Sequence, residues 1–218
     1  MAVIQSVISR VQPGRFEDML GLGLEVTKLY ERLGCDTTRL MIAGIAGEVS
    51  GQCVFSSEHE SMTEYGAFQE RLMADSEMQS ILSRVRSAES PVTLEQQSIA
   101  GEIPLGRTPK AGRGSVVEVH VSTVTPGRLE DVLALGRRVC DFVEANGALN
   151  ARNFQMAYAG TGTGMMMASW EHESLSAWGK TSDAFQNDPE GQAIAASVSA
   201  PNPPSTLVFS GVYTEIPL

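Results

Sequence analysis

The sequence predicts an α+β protein made of two tandem ferredoxin-like units, each in the order β-α-β-β-α-β, whose antiparallel sheets pack into one intramolecular α/β barrel. Three observations support this prediction. The chain contains a long internal repeat, each repeat opens with an alternating β-branched segment, and each opening segment is followed by an apolar stripe at helical spacing.

Internal repetition defines the domains. The Pro-Gly-Arg motif of residues 13–18 returns 113 residues later at 126–131, and Glu-His-Glu-Ser at 58–61 returns at 171–174. Roughly a third of the paired positions are identical, which chance does not produce. We therefore predict one unit over residues 1–105, a linker over 106–115 that is rich in glycine and charge, and a second unit over 116–218.

Each unit opens with a strand and a helix. Residues 3–11 and 116–124 are rich in valine and alternate in character, which is typical of a half-buried strand. A Pro-Gly turn follows each strand, and apolar residues then recur at the spacing of a helix. Gly23 and Gly136 lie on these apolar stripes and cost helix propensity, so we expect the helices to approach their sheets closely there.

The rest of each unit reads as a hairpin, a second helix and a closing strand. Segments 39–46 and 51–57, with 152–159 and 164–170, predict the two hairpins. Ser61 and Ser174 are natural N-caps, and an aspartate restarts each second helix further on. The final strands are predicted over about residues 93–103 and 206–216.

Helices on one face of each sheet leave the other face to be buried, and packing the two sheets together achieves this within one chain. The Pro-Gly helix start, the Trp-Glu-His-Glu-Ser-Leu stretch at 170–175 and the Phe-Gln-Asn-Asp-Pro-Glu stretch at 185–190 resemble the dimeric α/β-barrel superfamily. That group includes antibiotic-biosynthesis-type monooxygenases, stress-responsive barrel proteins and NIPSNAP-like proteins. The resemblance implies a small-molecule pocket inside the barrel or between sheet and helices.

Composition limits the partners. The 218 residues carry a formal charge of −10, which disfavours binding to nucleic acid or to an anionic membrane surface. No signal peptide or membrane-spanning apolar run is visible. Three widely spaced cysteines without a Cys-x-x-Cys pair favour reduced thiols, so we expect a cytoplasmic protein.

Glu118 and His120 are the candidate catalytic residues. They are two positions apart on the strand that opens the second unit, so they share a face, and we expect that face to point into the barrel. The first unit has Gln5 and Val7 at these positions, so the pair is not part of the shared scaffold. An imidazole beside a carboxylate can act as a general base near neutral pH. The alternative is a solvated pair near an open rim.

Four further residues are candidate ligand contacts: Tyr158, Trp170, His172 and Arg152. Aromatic rings could line a pocket for a flat molecule, or they could be core residues. His172 stands between two acids, yet neighbours on a strand point to opposite faces, so a metal site is not predicted and a role at the strand-to-helix corner is the alternative. Arg152 could bind an anion or form a strand-end salt bridge.

Neither a dinucleotide fingerprint nor a P-loop nor a nucleophile elbow occurs, and we predict no cofactor. Three functions stay open. The first is a barrel protein with a small organic ligand, the second a cofactor-independent monooxygenase-like enzyme on an aromatic or quinone-like substrate, and the third a structural or interaction module with a packed barrel. The sequence leaves open whether the chain is an enzyme, and whether the pseudo-dimer within one chain forms a homodimer.

Overall fold

The computed structural model describes residues 1–217; Leu218, the end of the second predicted domain, lies outside them. The elements of the first half are β1 (Val3–Val11), α1 (Phe16–Arg32), β2 (Thr38–Ile45), β3 (Gln52–His59), α2 (Met62–Ala74), α3 (Ser76–Val85) and β4 (Val92–Glu102). Those of the second half are β5 (Val116–Val124), α4 (Leu129–Ala145), β6 (Leu149–Tyr158), β7 (Met166–His172), α5 (Leu175–Asn187), α6 (Pro189–Val198) and β8 (Ser205–Glu215). Both halves have the same element order, with a 3₁₀ turn inside each hairpin.

The chain is an α+β protein whose eight antiparallel strands close into a barrel. The order around the barrel is β1-β3-β2-β8-β5-β7-β6-β4, and β4 pairs again with β1. The halves meet at two seams, one between β2 and β8 and the other between β4 and β6. Strands β1 and β5 run in the same direction, so we call the end where they begin the lower end of the barrel and the opposite end its mouth.

Side-chain caps fix where the helices after each hairpin begin. Ser61 accepts a hydrogen bond from the backbone N–H of Glu64, and Ser174 does the same from Ala177. Asp188 caps α6 ahead of a proline at its first turn, and its extended backbone separates α5 from α6. The segment predicted as one restarted helix is therefore two helices in each half.

Glycine brings the first helix of each half close to its sheet. A Cβ atom at Gly136 would lie 2.5 Å from Nδ2 of Asn153, and one at Gly23 would lie 2.6 Å from Cδ2 of Leu40. A side chain at either position would require the facing side chain of Leu40 or Asn153 to move. The close approach expected from the sequence is present in both halves.

The buried apolar residues divide between the helix side of the sheet and the barrel interior. Phe68 and Leu72 of α2 pack with α1 in the first half, while Trp170 packs with α4 and Ile194 of α6 in the second. A separate cluster around Tyr213 fills the interior beside the β2–β8 seam. Within residues 1–217, no helix has the length and apolar character needed to cross a membrane.

Candidate functional site

The closed barrel surrounds a cavity of about 560 Å³. Valines and isoleucines of β1 and β5 and methionines of β6 and β7 supply much of its wall, and serines stand at intervals between them. A cavity of this size is comparable with the pockets that bind small organic molecules. The barrel interior is therefore not simply packed.

Ion pairs that join the two halves form the floor of the cavity. Arg39 of β2 donates a hydrogen bond of 2.6 Å to Glu171 of β7, and its guanidinium lies 3.4 Å from Glu215 of β8. The linker closes this end, because Gly114 donates its N–H to Glu171 and accepts a hydrogen bond from Arg39. Arg113 pairs with Glu215 from the same linker.

Arg152 occupies the corresponding place at the other seam. Its guanidinium forms a bidentate pair with Glu58 at 2.8 and 2.9 Å and a second pair with Glu102 at 2.8 and 3.1 Å. Burial disfavours the charged form, yet the hydrogen bonds to Glu102 and Glu58 outweigh it and raise the pKa of Arg152 above its usual value. The strand-end salt bridge weighed as an alternative is present, although Arg152 also lines the cavity.

The mouth of the cavity has one polar and one apolar side. Gln52 of β3 donates to Glu95 of β4, and Arg10 of β1 donates to the same carboxylate at 2.6 Å. The polar residues of the first half at the mouth are Gln52, Glu95 and Gln96, and their counterparts 113 residues later are Met165, Val208 and Phe209. Equivalent positions of the two halves are therefore polar on one side of the mouth and apolar on the other.

The predicted orientation of Glu118 and His120 is wrong. Val117, Val119 and Val121 line the cavity, so Glu118 and His120 lie on the opposite face, beneath the helices of the second half. The alternation correctly predicts which residues share a face, but valines suit a barrel interior and a helix-covered face equally well. The sequence pattern therefore could not decide which face is inside.

Glu118 gathers three side chains on that helix side. Its carboxylate accepts a hydrogen bond of 2.8 Å from Nε1 of Trp170 and lies 3.0 Å from Nε2 of His120 and 3.4 Å from Nε2 of His172. The imidazole of His120 also stacks on the Trp170 ring at a centroid distance of 4.8 Å. We call these four residues the Glu118 cluster.

The Glu118 cluster holds its carboxylate ionised. Burial alone would raise the pKa of Glu118, but hydrogen bonds from His120, His172 and Trp170 outweigh it and lower the pKa to about 2. An ionised carboxylate only accepts hydrogen bonds, so both imidazoles present an N–H to it. The side chain of His120 is 26% exposed, so the cluster can be reached from solvent through this residue.

His172 is fully buried, and its Nδ1 atom has no hydrogen-bond partner among the described residues. Nε1 of Trp178, on α5, is also buried without a partner there. Oγ1 of Thr27, on α1 of the first half, is a third such atom. Buried polar atoms in native structures nearly always have partners, so each of the three is an exception.

The remaining candidates are spread over different environments. Tyr158 is 64% exposed at the end of β6 and does not line the cavity. Trp170 and His172 face the helices, whereas Arg152 faces the barrel. The structure brings Glu118, His120, Trp170 and His172 together and separates Tyr158 and Arg152 from them. Among residues 1–217 there is no group of three potential ligands arranged to hold a metal ion.

Comparison with known proteins gives matches among solved structures. Neither a family model nor a curated protein matches the chain. A protein named "putative monooxygenase" from Fusobacterium nucleatum subsp. nucleatum is 6% identical, with a TM-score of 0.64 over 99% of this chain and 93% of that one. An anthrone oxidase-like protein is 16% identical, with a TM-score of 0.58 over 99% and 91%. A variant of chlorite dismutase from Candidatus Nitrospira defluvii is 12% identical, with a TM-score of 0.57 over 99% and 91%.

The chain has the dimeric α/β-barrel fold. The resemblance stated from the helix starts and caps is therefore confirmed at the level of the fold. These identities are too low to transfer an activity, because one fold supports many functions.

Sequence reasoning missed the polar side of the mouth of this dimeric α/β-barrel chain. The signal was available, because Gln52, Glu95 and Gln96 differ from their counterparts in the repeat as clearly as Glu118 and His120 do. They were missed because Glu95 and Gln96 lie next to each other on an exposed strand, where polar residues are ordinary.

Proposed function

We propose that this dimeric α/β-barrel chain binds a small organic molecule in its barrel cavity. The cavity of about 560 Å³ is the observation that supports the proposal most strongly. Protein interiors are close-packed, with few voids larger than a water molecule, so a barrel serving only as scaffold would be filled. The wall is largely apolar with isolated polar groups, as in most small-molecule sites.

We also propose that the two halves are ferredoxin-like units duplicated in tandem, with the boundaries expected from the sequence. The strand order 4-1-3-2 within the first half and its equivalent within the second support this. Duplication frees the halves to diverge, so one chain can hold an asymmetric site. A cytoplasmic location and a homodimer of the closed barrel stay proposals; the three cysteines are free and buried.

Filling the barrel tests the binding proposal. Val119 lines the cavity midway along β5, so Val119→Trp places an indole inside it. Thr123→Trp, at an exposed position of the same strand, is the control. We expect small aromatic and alicyclic alcohols that stabilise the wild type to lose their effect on Val119→Trp alone; at 100 times Kd the wild-type effect is about 2.7 kcal/mol. Equal stabilisation of all three proteins would exclude the cavity.

A second candidate function is oxidation of an aromatic substrate at the Glu118 cluster. Its support is the partly exposed imidazole of His120, which an ionised carboxylate holds at 3.0 Å, together with neighbours named as a monooxygenase and as anthrone oxidase-like. His120 would remove a proton from a substrate such as anthrone, and O₂ would then convert it to anthraquinone and water.

Oxygen consumption with anthrone tests this second candidate. His120→Ala should reduce the rate at least a hundredfold, the usual contribution of a general base, while Val119→Trp leaves it unchanged. If wild type and His120→Ala consume oxygen equally, or neither exceeds the uncatalysed rate, binding without catalysis is the better account.

A further inference from the structure

We infer that the barrel cavity takes an uncharged, flat aromatic molecule with a hydroxyl or amine at one edge, and that Glu95 accepts the hydrogen bond from this group. The inference rests on the proposed binding function and specifies its ligand. It follows from three properties of the cavity: the pairing of its charges, the chemistry of its apolar side, and the free acceptor capacity of its polar side.

The first property is that the charged groups on the cavity wall already have partners. The arginines of the floor pair with the glutamates of the floor, as described above, and Glu95 at the mouth pairs with Arg10. A charged ligand would lose its hydration without gaining a free counter-ion, and this costs several kcal/mol. An uncharged ligand avoids that cost.

The second property is a soft, flat apolar side. Three methionines face the cavity from β6, the end of the second hairpin and β7: Met156, Met165 and Met167. The ring of Phe209 on β8 also lines it, and Gly211 leaves room for this ring beside Tyr213. Thioether sulfur and aromatic edges contact π-systems favourably, so this side suits an aromatic ring better than a saturated one.

The third property is spare acceptor capacity opposite that side. A carboxylate has about four lone-pair sites, and Arg10 and Gln52 use one each on Glu95. The guanidinium of Arg10 holds the carboxylate in place at the mouth. A ligand hydroxyl or amine reaching the mouth can therefore donate to Glu95 while its ring lies against Met165 and Phe209.

The repeat supplies the variants for a test. Glu95→Val with Gln52→Met gives the polar side the residues of its apolar counterpart, Val208 and Met165. Phe209→Gln makes the reverse change on the apolar side, copying Gln96. The probes are 2-naphthol, naphthalene, which lacks the donor, and decahydro-2-naphthol, which lacks the flat π-system. Binding is measured by equilibrium dialysis, and a thermal melt establishes that each variant is folded.

We expect the wild type to bind 2-naphthol about tenfold more tightly than either other probe, which corresponds to 1.4 kcal/mol. In Glu95→Val/Gln52→Met, the preference for 2-naphthol over naphthalene should fall to about one, with naphthalene still bound. Phe209→Gln should weaken both aromatic probes and keep their ratio. If the polar-side variant is unfolded, Glu95→Gln replaces it and should lower the same preference at least threefold.

Equal affinity of wild type for the three probes, or an unchanged preference in the polar-side variant, overturns the inference. The binding proposal then still stands if Val119→Trp abolishes binding of the probes. If Val119→Trp binds them as the wild type does, the cavity is not the site and both proposals fail. The two failures are thus distinguishable.

Discussion

Two histidines at matching positions of the repeat, His59 and His172, end up in different chemical surroundings. Nδ1 of His59 lies 2.8 Å from Glu64, and its Nε2 lies 3.1 Å from Oγ of Ser57. His172 lies 3.4 Å from Glu118 through Nε2, while its Nδ1 has no partner within residues 1–217. The first site is saturated with hydrogen bonds and the second is not.

The difference comes from a few substitutions between the halves. Glu64 of the first half becomes Ala177 in the second, which removes the partner of Nδ1, and Gln5 becomes Glu118, which puts a charge beneath the helices. Both ring nitrogens of His59 have hydrogen-bond partners, whereas the buried Nδ1 of His172 has none among the described residues, and an unpaired buried polar atom is costly. Proteins that keep such a cost usually do so at functional sites, which is why the second half carries the enzymatic candidate.

Removing the two central acceptors should give the largest difference between the halves. Glu118→Ala leaves the Trp170 indole N–H and two imidazoles without their acceptor, and we expect it to lower the free energy of unfolding by about 4 kcal/mol. Gln5→Ala removes the neutral bonds to Ser57 and Gln69 and should cost about 1 kcal/mol. Urea unfolding of both variants measures the contrast. Equal losses would show that the charge contributes nothing to the cluster.

Lowering the pH should change the free energy of unfolding by a slightly smaller amount than Glu118→Ala does, and the change should come from Glu118 in the second half. The folded pKa of Glu118 is about 2, below its ordinary value of 4.5, so the unfolded chain binds the proton more readily. The contribution of Glu118 is therefore present above pH 4.5 and is lost as the pH falls towards 2. The difference in pKa corresponds to about 3 kcal/mol.

Urea unfolding between pH 2 and 6 measures this loss against Glu118→Gln, which gives the cluster the amide that the first half already has. The wild type should lose about 3 kcal/mol more than the variant over this range. Parallel pH profiles would mean that the carboxylate is not held in its ionised form.

The fold could largely be predicted from the sequence because its signals are local. Alternating valines mark β1 and β5, and both strands begin and end where predicted, at Val3–Val11 and Val116–Val124. Ser61, Ser174 and Asp188 mark helix starts by their side chains, and each caps a helix in the structure.

The site could be predicted only in part, because it depends on contacts between distant strands. Spacing on one strand correctly paired Glu118 with His120. It could not show that Trp170 and His172 of β7 pair with that strand, nor which face of β5 the helices cover. Ser61 caps α2 as predicted, but the sequence could not show that the side chain of Glu64, three residues later, contacts His59.

The smallest expected effect comes from exchanging Glu64 and Ala177. These equivalent residues decide whether Nδ1 of the nearby histidine has a hydrogen-bond partner. Glu64→Ala gives the first half the alanine of the second and leaves Nδ1 of the buried His59 unpaired, so we expect a loss of about 1.5 kcal/mol in the free energy of unfolding. Ala177→Glu gives the second half the missing carboxylate on the first turn of α5. It should stabilise the chain by about 1 kcal/mol, because the carboxylate can accept a hydrogen bond from Nδ1–H of His172 and places a negative charge near the helix N-terminus.

Ala177→Gln is the control that separates these two contributions, since it keeps a hydrogen-bonding side chain and adds no charge to the helix N-terminus. Thermal melts measure stability, and imidazole ¹⁵N chemical shifts show which ring nitrogen of His172 carries the proton. In the wild type Nε2 of His172 faces Glu118, and in Ala177→Glu a new hydrogen bond at Nδ1 should move the ¹⁵N shift of that nitrogen. If Ala177→Glu destabilises the chain and the shifts do not move, the two histidine sites differ by more than one missing partner, because the space beside Nδ1 in the second half then does not admit a carboxylate.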